Sequence, residues 1–403
     1  MDRSPLSART RRIDGDVDID LVAIAGNDGL LFQRDGVGFA ARGRALDVEL
    51  SDVGGALASI DVTDDIDRPG SGPVAFAALP FLPGQPASLI IPEMVVCRDE
   101  DGTCWITHVG VGPLPKRPTP PEVAMRAAVG PSSFEIRSTR PPQEWCEAVS
   151  TATQRIGRGD LDKVVLAREV VLIADQPIPK ADVLLRLRQQ YPGCYVFSVD
   201  GFVGATPELL VSRHGDIVRA QPMAGTAPRR GDPQADAAVA ADLLASPVYR
   251  HEHEVTIDMV HDTLLAFCSY LDDEAEPSVV ALANVQHLAT TVVGRLSHPP
   301  ASVLELVAAL HPTPAVCGRP RPAALDLIAE VEGLVRGRYA GTVGWVDAAG
   351  NGQWAVSIRC AQIDGNSARL YGGNGIVADS EPTSELAETR DKLQAMLMAI
   401  VRP

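Results

Sequence analysis

Residues 202–265 read FVGATPELL, PMAGTAPRR and ADLLASPVYRHEHEVTIDMVHDTL in turn. They bring an acid (Glu208), a tight backbone position (Gly225) and a carboxylate (Glu252) into one stretch. Ile257, Val260, Leu264 and Phe267 recur at i, i+3, i+7 and i+10, one stripe of a 3.6-residue period. Glu252 and Glu254 lie on opposite margins of that stripe. A carboxylate on such a margin can point into a cleft and hold a cation, and periodicity does not choose between the two. A solvated acidic first turn, favoured by the helix dipole, is the plainer alternative.

The C-terminal stretch is the second place with chemistry in its spacing. Leu386, Leu393, Leu397 and Ile400 form an apolar stripe, and Glu385, Glu388 and Lys392 fall at i, i+3 and i+7 on another face. Two carboxylates one turn apart suit a hard cation such as Mg²⁺. Equally, Glu388 and Lys392 suit a solvated i, i+4 pair. Just before them, RLYGGNGIV carries Gly372, Gly373 and Gly375, a turn where backbone N–H groups can approach an anion. It lacks the spacing of a dinucleotide fingerprint. Arg359 sits inside the apolar run AVSIRCAQI and needs a carboxylate partner, internal or on a ligand. Lys163 opens another apolar run: a strand-end gatekeeper, or a base if its cleft is dry. HEHE at 251–254 fails as a zinc motif, because Val255 and Ile257 stand where a second His is required. His287 and His311 read first as core or turn histidines.

Positioning these groups takes both kinds of element. Strands are expected over 21–25, 74–78, 87–91, 105–109, 163–173, 194–199, 209–211, 217–220, 293–296, 341–346, 354–362 and 368–373. Helices are expected around Trp145–Ile156 and over 181–190, 236–244, 250–270, 301–310, 323–335 and 385–401. DEDGT at 99–103 marks a hairpin. Runs of strands with interspersed helices imply an α+β fold with large mixed or antiparallel sheets. Three segments are expected: a disordered tail over 1–20, a sheet-forming part over 21–121 ending in the Pro-rich GPLPKRPTPP, and a catalytic region over 122–403, all in one compact domain.

Composition excludes several partners. A net charge of −16 over 403 residues argues against nucleic acid and anionic membrane surfaces. An anionic ligand must then be neutralised locally, by a metal ion or a few placed cations. Seven cysteines with no CxxC pair suggest reduced thiols in a cytoplasmic protein. No run reaches the length of a membrane span.

LDKVVLARE, FVGATPELL, PMAGTAPRR, LLASPVYRHEHE, VQHLATTVVGRL, LHPTPAVCGRP, YAGTVGW, VSIRCAQI, GGNGIV and SELAETRDK follow one another in this order. Together, over about 155–397, they resemble the chorismate-utilising enzymes. These comprise isochorismate synthase, salicylate synthase and the synthase subunits for anthranilate and aminodeoxychorismate. ALPFLPGQPASLIIPE resembles them more loosely. The PAV form at 314–316 is similar to that of the isochorismate synthases; salicylate synthases carry Thr where Ala315 stands.

The resemblance implies an anthranilate synthase component I-like fold, two large mostly antiparallel sheets packed as a sandwich with helices outside. It implies a monomeric Mg²⁺-dependent isomerase acting on chorismate, without a glutamine amidotransferase partner, whose product feeds menaquinone or siderophore synthesis. A salicylate synthase is the alternative, and a non-catalytic relative a weaker one. By this resemblance Lys163 is the base and Glu208 the acid. Glu252 and Glu388 hold the metal, with Glu385 assisting through water. Arg359, Gly225, Thr226, Gly373 and Lys392 bind the substrate's anionic groups; Ala315, Val316 and Tyr339 line the ring pocket; His287 occupies an active-site position. Tyr339 stands where a relative has Phe, and Asn374 where Ala is frequent.

Overall fold

The computed structural model describes residues 5–14, 19–116, 119–121, 130–229, 231–283 and 285–401. Two sheets dominate. The larger, of 13 strands among the described residues, begins at the edge strand Phe134–Ser138. It continues through Lys163–Ala174, Ser367–Ile376, Cys360–Asp364, Phe202–Thr206 and Tyr195–Val199, then Leu30–Arg34, Val37–Arg42, Met94–Arg98, Cys104–Gly110 and Ser7–Arg12, to Asp61–Asp64. A 9-stranded sheet includes Leu209–His214, Gly352–Val356, Thr342–Asp347 and Val74–Leu79 as consecutive neighbours. A small third sheet joins Met223–Pro228, Val285–Ala289 and Ser278–Ala281. Pairing is antiparallel apart from Ser7–Arg12 against Asp61–Asp64.

The two large sheets face each other across one core. Phe39 of the large sheet meets Phe76 and Trp345 of the smaller, with ring centroids 6.0 and 4.7 Å apart. A second core lies on the outer face of the large sheet, under the helices Leu21–Ala25, Lys180–Gln190 and Pro382–Val401. Both large sheets interleave strands from before and after residue 121: Leu30–Arg34 pairs with Tyr195–Val199, and Val74–Leu79 with Thr342–Asp347. The proposed boundary itself falls beside 122–129, outside the described residues.

Several expectations need correction. Residues 7–12 are not a loose tail; Ser7–Arg12 pairs with Cys104–Gly110 and buries Ala8 and Thr10. The run 21–25 is a helix, because Asp20 accepts from the backbone N–H groups of Val22 and Ala23 as an N-cap. The helix expected over 250–270 ends at Leu265, and Cys268–Asp273 turns back as an edge strand. Its buried face is His253, Thr256, Val260 and Leu264, so Val260 and Leu264 of the predicted stripe are buried while Ile257 and Phe267 are only partly so. The apolar run 354–362 is two strands in two different sheets, with a break at 357–359.

Candidate active site

Two neighbouring strands cross from one sheet to the other at the same level. Phe202–Thr206 belongs to the large sheet and Leu209–His214 to the smaller; Gly352–Val356 belongs to the smaller and Cys360–Asp364 to the large. Glu208 lies in the first crossing and Arg359 in the second. Backbone bonds lock the crossings together: Val356 N–H donates to Glu208 O at 3.0 Å, and Ala205 N–H to Arg359 O at 3.1 Å. Arg359 has φ of 50°, a left-handed conformation that costs a non-glycine residue about 1–2 kcal/mol. The crossings put a carboxyl and a guanidinium between the sheets, where neither strand alone would bury them.

A cavity of about 270 Å³ opens there. All the predicted site residues line it: Lys163, Glu208, Gly225, Thr226, Glu252, His287, Ala315, Val316, Tyr339, Arg359, Gly373, Glu385, Glu388 and Lys392. Sequence reasoning missed Met223, Tyr249, Ile358 and Ser380, which also line it, while Gly375 of the Gly-rich run joins them there. Tyr249 had a signal, since it lies one helical turn before Glu252.

Each contributor is placed by a local device. Lys163 begins the long strand, and the short strand Gly318–Arg319 pairs with it there. Val165 N–H donates to Cys317 O at 2.8 Å, which ties Ala315 and Val316 to the lysine's strand. Gly225 sits at a register shift with φ of 73°, a bulge that L side chains resist. Glu252 flanks the buried His253 on the helix Pro247–Leu265, whereas Glu254 is exposed, so the fold chooses between the two. The helix Pro382–Val401 supplies Glu385, Glu388 and Lys392, and its lysine is buried.

The electrostatics are paired. Lys163 Nζ donates to Glu252 Oε1 at 2.6 Å, and Lys392 Nζ to Glu388 Oε1 at 2.8 Å. Burial pushes the Glu252 carboxyl up, but the adjacent Lys163 ammonium and the more distant Lys392 outweigh it and hold the group below its usual range. Glu208 behaves oppositely. Burial drives it up to about 8, against the Met223 backbone donor and the charges of Arg359 and Lys163. At neutral pH it is mostly a protonated acid. Burial lowers His287 to about 3, so the ring is neutral; Thr226 Oγ1 lies 3.1 Å from its Nδ1, and its Nε2 has no partner among the described residues. Arg359 is buried and forms no salt bridge among the described residues, although the Glu388 charge acts on it.

Glu252, Glu385 and Glu388 are hard oxygen donors lining the same cavity, from two different helices. Among the described residues no group of three His, Cys, Asp or Glu is gathered closely enough to enclose an ion by itself. Carboxylate oxygens are the donor type that Mg²⁺ takes, typically from one or two protein carboxylates, with water and substrate oxygens completing its shell.

The family model described as "Chorismate binding enzyme" matches residues 116–401. A Mycobacterium tuberculosis chain assigned as an isochorismate synthase, MenF, is 41% identical over 348 residues, 83% of this chain and 88% of that one. The isochorismate synthase DhbC of Bacillus subtilis is 38% identical over 341 residues, 82% of this chain and 81% of that one. The solved menaquinone-specific isochorismate synthase MenF of Escherichia coli shares the fold, with a TM-score of 0.85 at 24% identity over 99% of this chain and 95% of that one. This chain belongs to the chorismate-binding enzymes, among the isochorismate synthases, and is therefore an isomerase.

Proposed function

We propose that the protein converts chorismate to isochorismate in a Mg²⁺-dependent reaction. The observation that carries this reading is Glu208, a carboxyl kept protonated near neutrality in the same cavity as Lys163. Lys163 takes a proton from a water molecule as its oxygen bonds to ring C2. Both ring double bonds shift, C1=C2 to C1=C6 and C5=C6 to C4=C5, as the C4–O bond breaks and Glu208 gives its proton to the departing oxygen, which leaves as water. One water enters and one leaves, so the product is an isomer, and the proton Lys163 gains equals the one Glu208 loses. Such a pair needs opposite protonation states at one pH, which unlike environments supply. Lys163 donates to Glu252 at rest, and it acts as the base after releasing one ammonium proton to solvent water.

The remaining side chains orient a dianion in an acidic protein. Arg359 clamps the enolpyruvyl carboxylate with its planar fork. The backbone at Gly225 and Gly373, the Thr226 hydroxyl and the Lys392 ammonium receive the other anionic oxygens. His287, neutral, offers its unpaired Nε2. Ala315, Val316 and Tyr339 wall the ring. Glu252 and Glu388 would hold Mg²⁺, with Glu385 acting through water; when bound, the ion supplies positive charge to the ring carboxylate.

The test is purified protein with chorismate and Mg²⁺, followed by NMR and mass spectrometry. The expected product has unchanged mass; EDTA stops its formation and added Mg²⁺ restores it. A lactate-dehydrogenase-coupled assay stays silent. Pyruvate released in step with chorismate loss would make the enzyme salicylate-forming instead, and no chorismate consumption would end the proposal.

A glycine gives a sharper prediction. A Cβ at Gly375 would lie 2.4 Å from Lys163 Cε and 3.0 Å from its Nζ. Gly375→Ala therefore folds but displaces the amine. Misplacement of about 1 Å can cost roughly a hundredfold, and kcat is expected to fall by about that factor while the melting temperature holds. A variant with wild-type kcat would show that the amine's position is not critical.

A further inference from the structure

The strand Ser367–Ile376 separates two environments by its pleat. Gly373 and Gly375 line the cavity. Their alternates face the helix Pro382–Val401: a Cβ at Gly372 would meet Thr389 O and Leu393, and Asn374, only 1% exposed, reaches Glu385 and Lys392. Asn374 does not line the cavity itself, so it acts through those two residues.

Its amide is used at both ends. Asn374 Nδ2 donates to Glu385 Oε2 at 2.9 Å and to Glu385 O at 2.9 Å. Asn374 Oδ1 accepts from Lys392 Nζ at 2.9 Å. The other carboxylate oxygen, Glu385 Oε1, accepts from Ser380 Oγ at 2.7 Å. Lys392 completes its three donors with Gly373 O at 3.0 Å and Glu388 Oε1 at 2.8 Å. The amide thus stands between an ammonium and a carboxylate of opposite charge. Only a group with both a donor and an acceptor can do this; Ala offers neither, and an ionised Asp cannot donate to Glu385.

We propose that Asn374 is a positioning residue that keeps the Lys392 ammonium and the Glu385 carboxylate from closing into a direct ion pair, and so sets the cavity's affinity for a divalent cation. This rests on the reading of Glu252, Glu385 and Glu388 as the cation's carboxylates. Without the amide, the ammonium's freed proton turns to Glu385, whose Oε2 has lost its donor. Glu385 is then neutralised by a lysine instead of serving the cation.

The test is Mg²⁺ binding to the substrate-free protein by calorimetry, for wild type, Asn374→Ala, Glu385→Gln and the double variant. Loss of a group that orients an ion's ligands typically costs about tenfold or more in affinity. Asn374→Ala is expected to weaken Mg²⁺ about tenfold while kcat at saturating Mg²⁺ changes by less than about threefold. Glu385→Gln weakens Mg²⁺ similarly, and the double variant is little worse than either single one, because both act through one carboxylate. Asn374→Val, which suits a buried strand and offers neither donor nor acceptor, replaces Ala if that variant does not fold. Wild-type affinity within twofold in the folded Asn374 variant, or additive effects in the double, overturns the proposal alone. Failure of the wild type to bind Mg²⁺ overturns it together with the reading of those three carboxylates.

Discussion

Glu208→Gln lowers kcat by about 10²–10⁴-fold, the usual contribution of a general acid, and leaves KM for chorismate nearly unchanged. Gln keeps the shape of the carboxyl and can still donate a hydrogen bond, but it cannot surrender a proton to the leaving hydroxyl. The wild-type pH profile follows from burial. The Glu208 carboxyl, pushed up to about 8, is competent below that pH, so the fraction of enzyme carrying the acid's proton falls about tenfold per unit above it; the Gln variant lacks that dependence. The sign for stability runs the same way. A carboxyl with a folded-state pKa above its ordinary 4.5 binds its proton more tightly when folded, so stability declines as pH rises from about 4.5 towards 8. Glu208→Gln is spared that decline, and its melting temperature should overtake the wild type's as the buffer becomes alkaline. Lys163→Ala is expected to cost a rate factor of the same order, because it removes the opposite member of the acid–base pair. Steady-state kinetics on both variants decide the matter: a loss below about tenfold in either assigns the proton transfers elsewhere.

Arg336→Met destabilises the fold by about 3–5 kcal/mol, the expected cost of stranding one charge of a buried pair. Arg336 and Glu332 are joined through Nε–Oε1 at 2.7 Å and Nη2–Oε2 at 2.5 Å, and both side chains are almost fully buried. Burial alone would lower the guanidinium's pKa, but Glu332 more than offsets it. The pair also holds the site's wall. Arg336 donates to Val316 O at 2.9 Å and to Val165 O at 2.6 Å, Glu332 accepts from Ala167 N–H at 2.8 Å, and the guanidinium lies 4.2 Å from the centroid of Phe81. Removing the arginine leaves a buried carboxylate without its cation and the Val316 and Val165 carbonyls without this donor. Urea denaturation reads the loss directly. The double variant Glu332→Leu/Arg336→Met should recover part of it, since no charge is then stranded. A single variant within about 1 kcal/mol of wild type would show that the pair is dispensable.

These two effects mark where sequence information ends. Lys163, Glu208 and Arg359 were legible as residues out of character with their apolar runs. Glu252, Glu385 and Glu388 were legible as carboxylates at helical spacing. The order of ten motifs supplied the family and with it the reaction. The Arg336–Glu332 pair was not legible, because an i, i+4 pair of opposite charges ordinarily reads as solvated surface; only packing shows that this one is buried.

By itself the sequence determined which side chains were available, that the chain alternates strands and helices, and that an acidic protein needs placed cations or a metal to hold an anion. Periodicity is local, so it set most element types but read the helix at 21–25 as a strand, found only part of the buried face of the helix Pro247–Leu265 and missed the break at 357–359. Tertiary structure alone decided that two strands change sheets side by side, putting Glu208 and Arg359 into the gap between the sheets. It also chose Glu252 over Glu254 and set Asn374 between Lys392 and Glu385. Protonation states and ion pairs depend on burial and on neighbours distant in sequence, and those quantities exist only once the chain has folded.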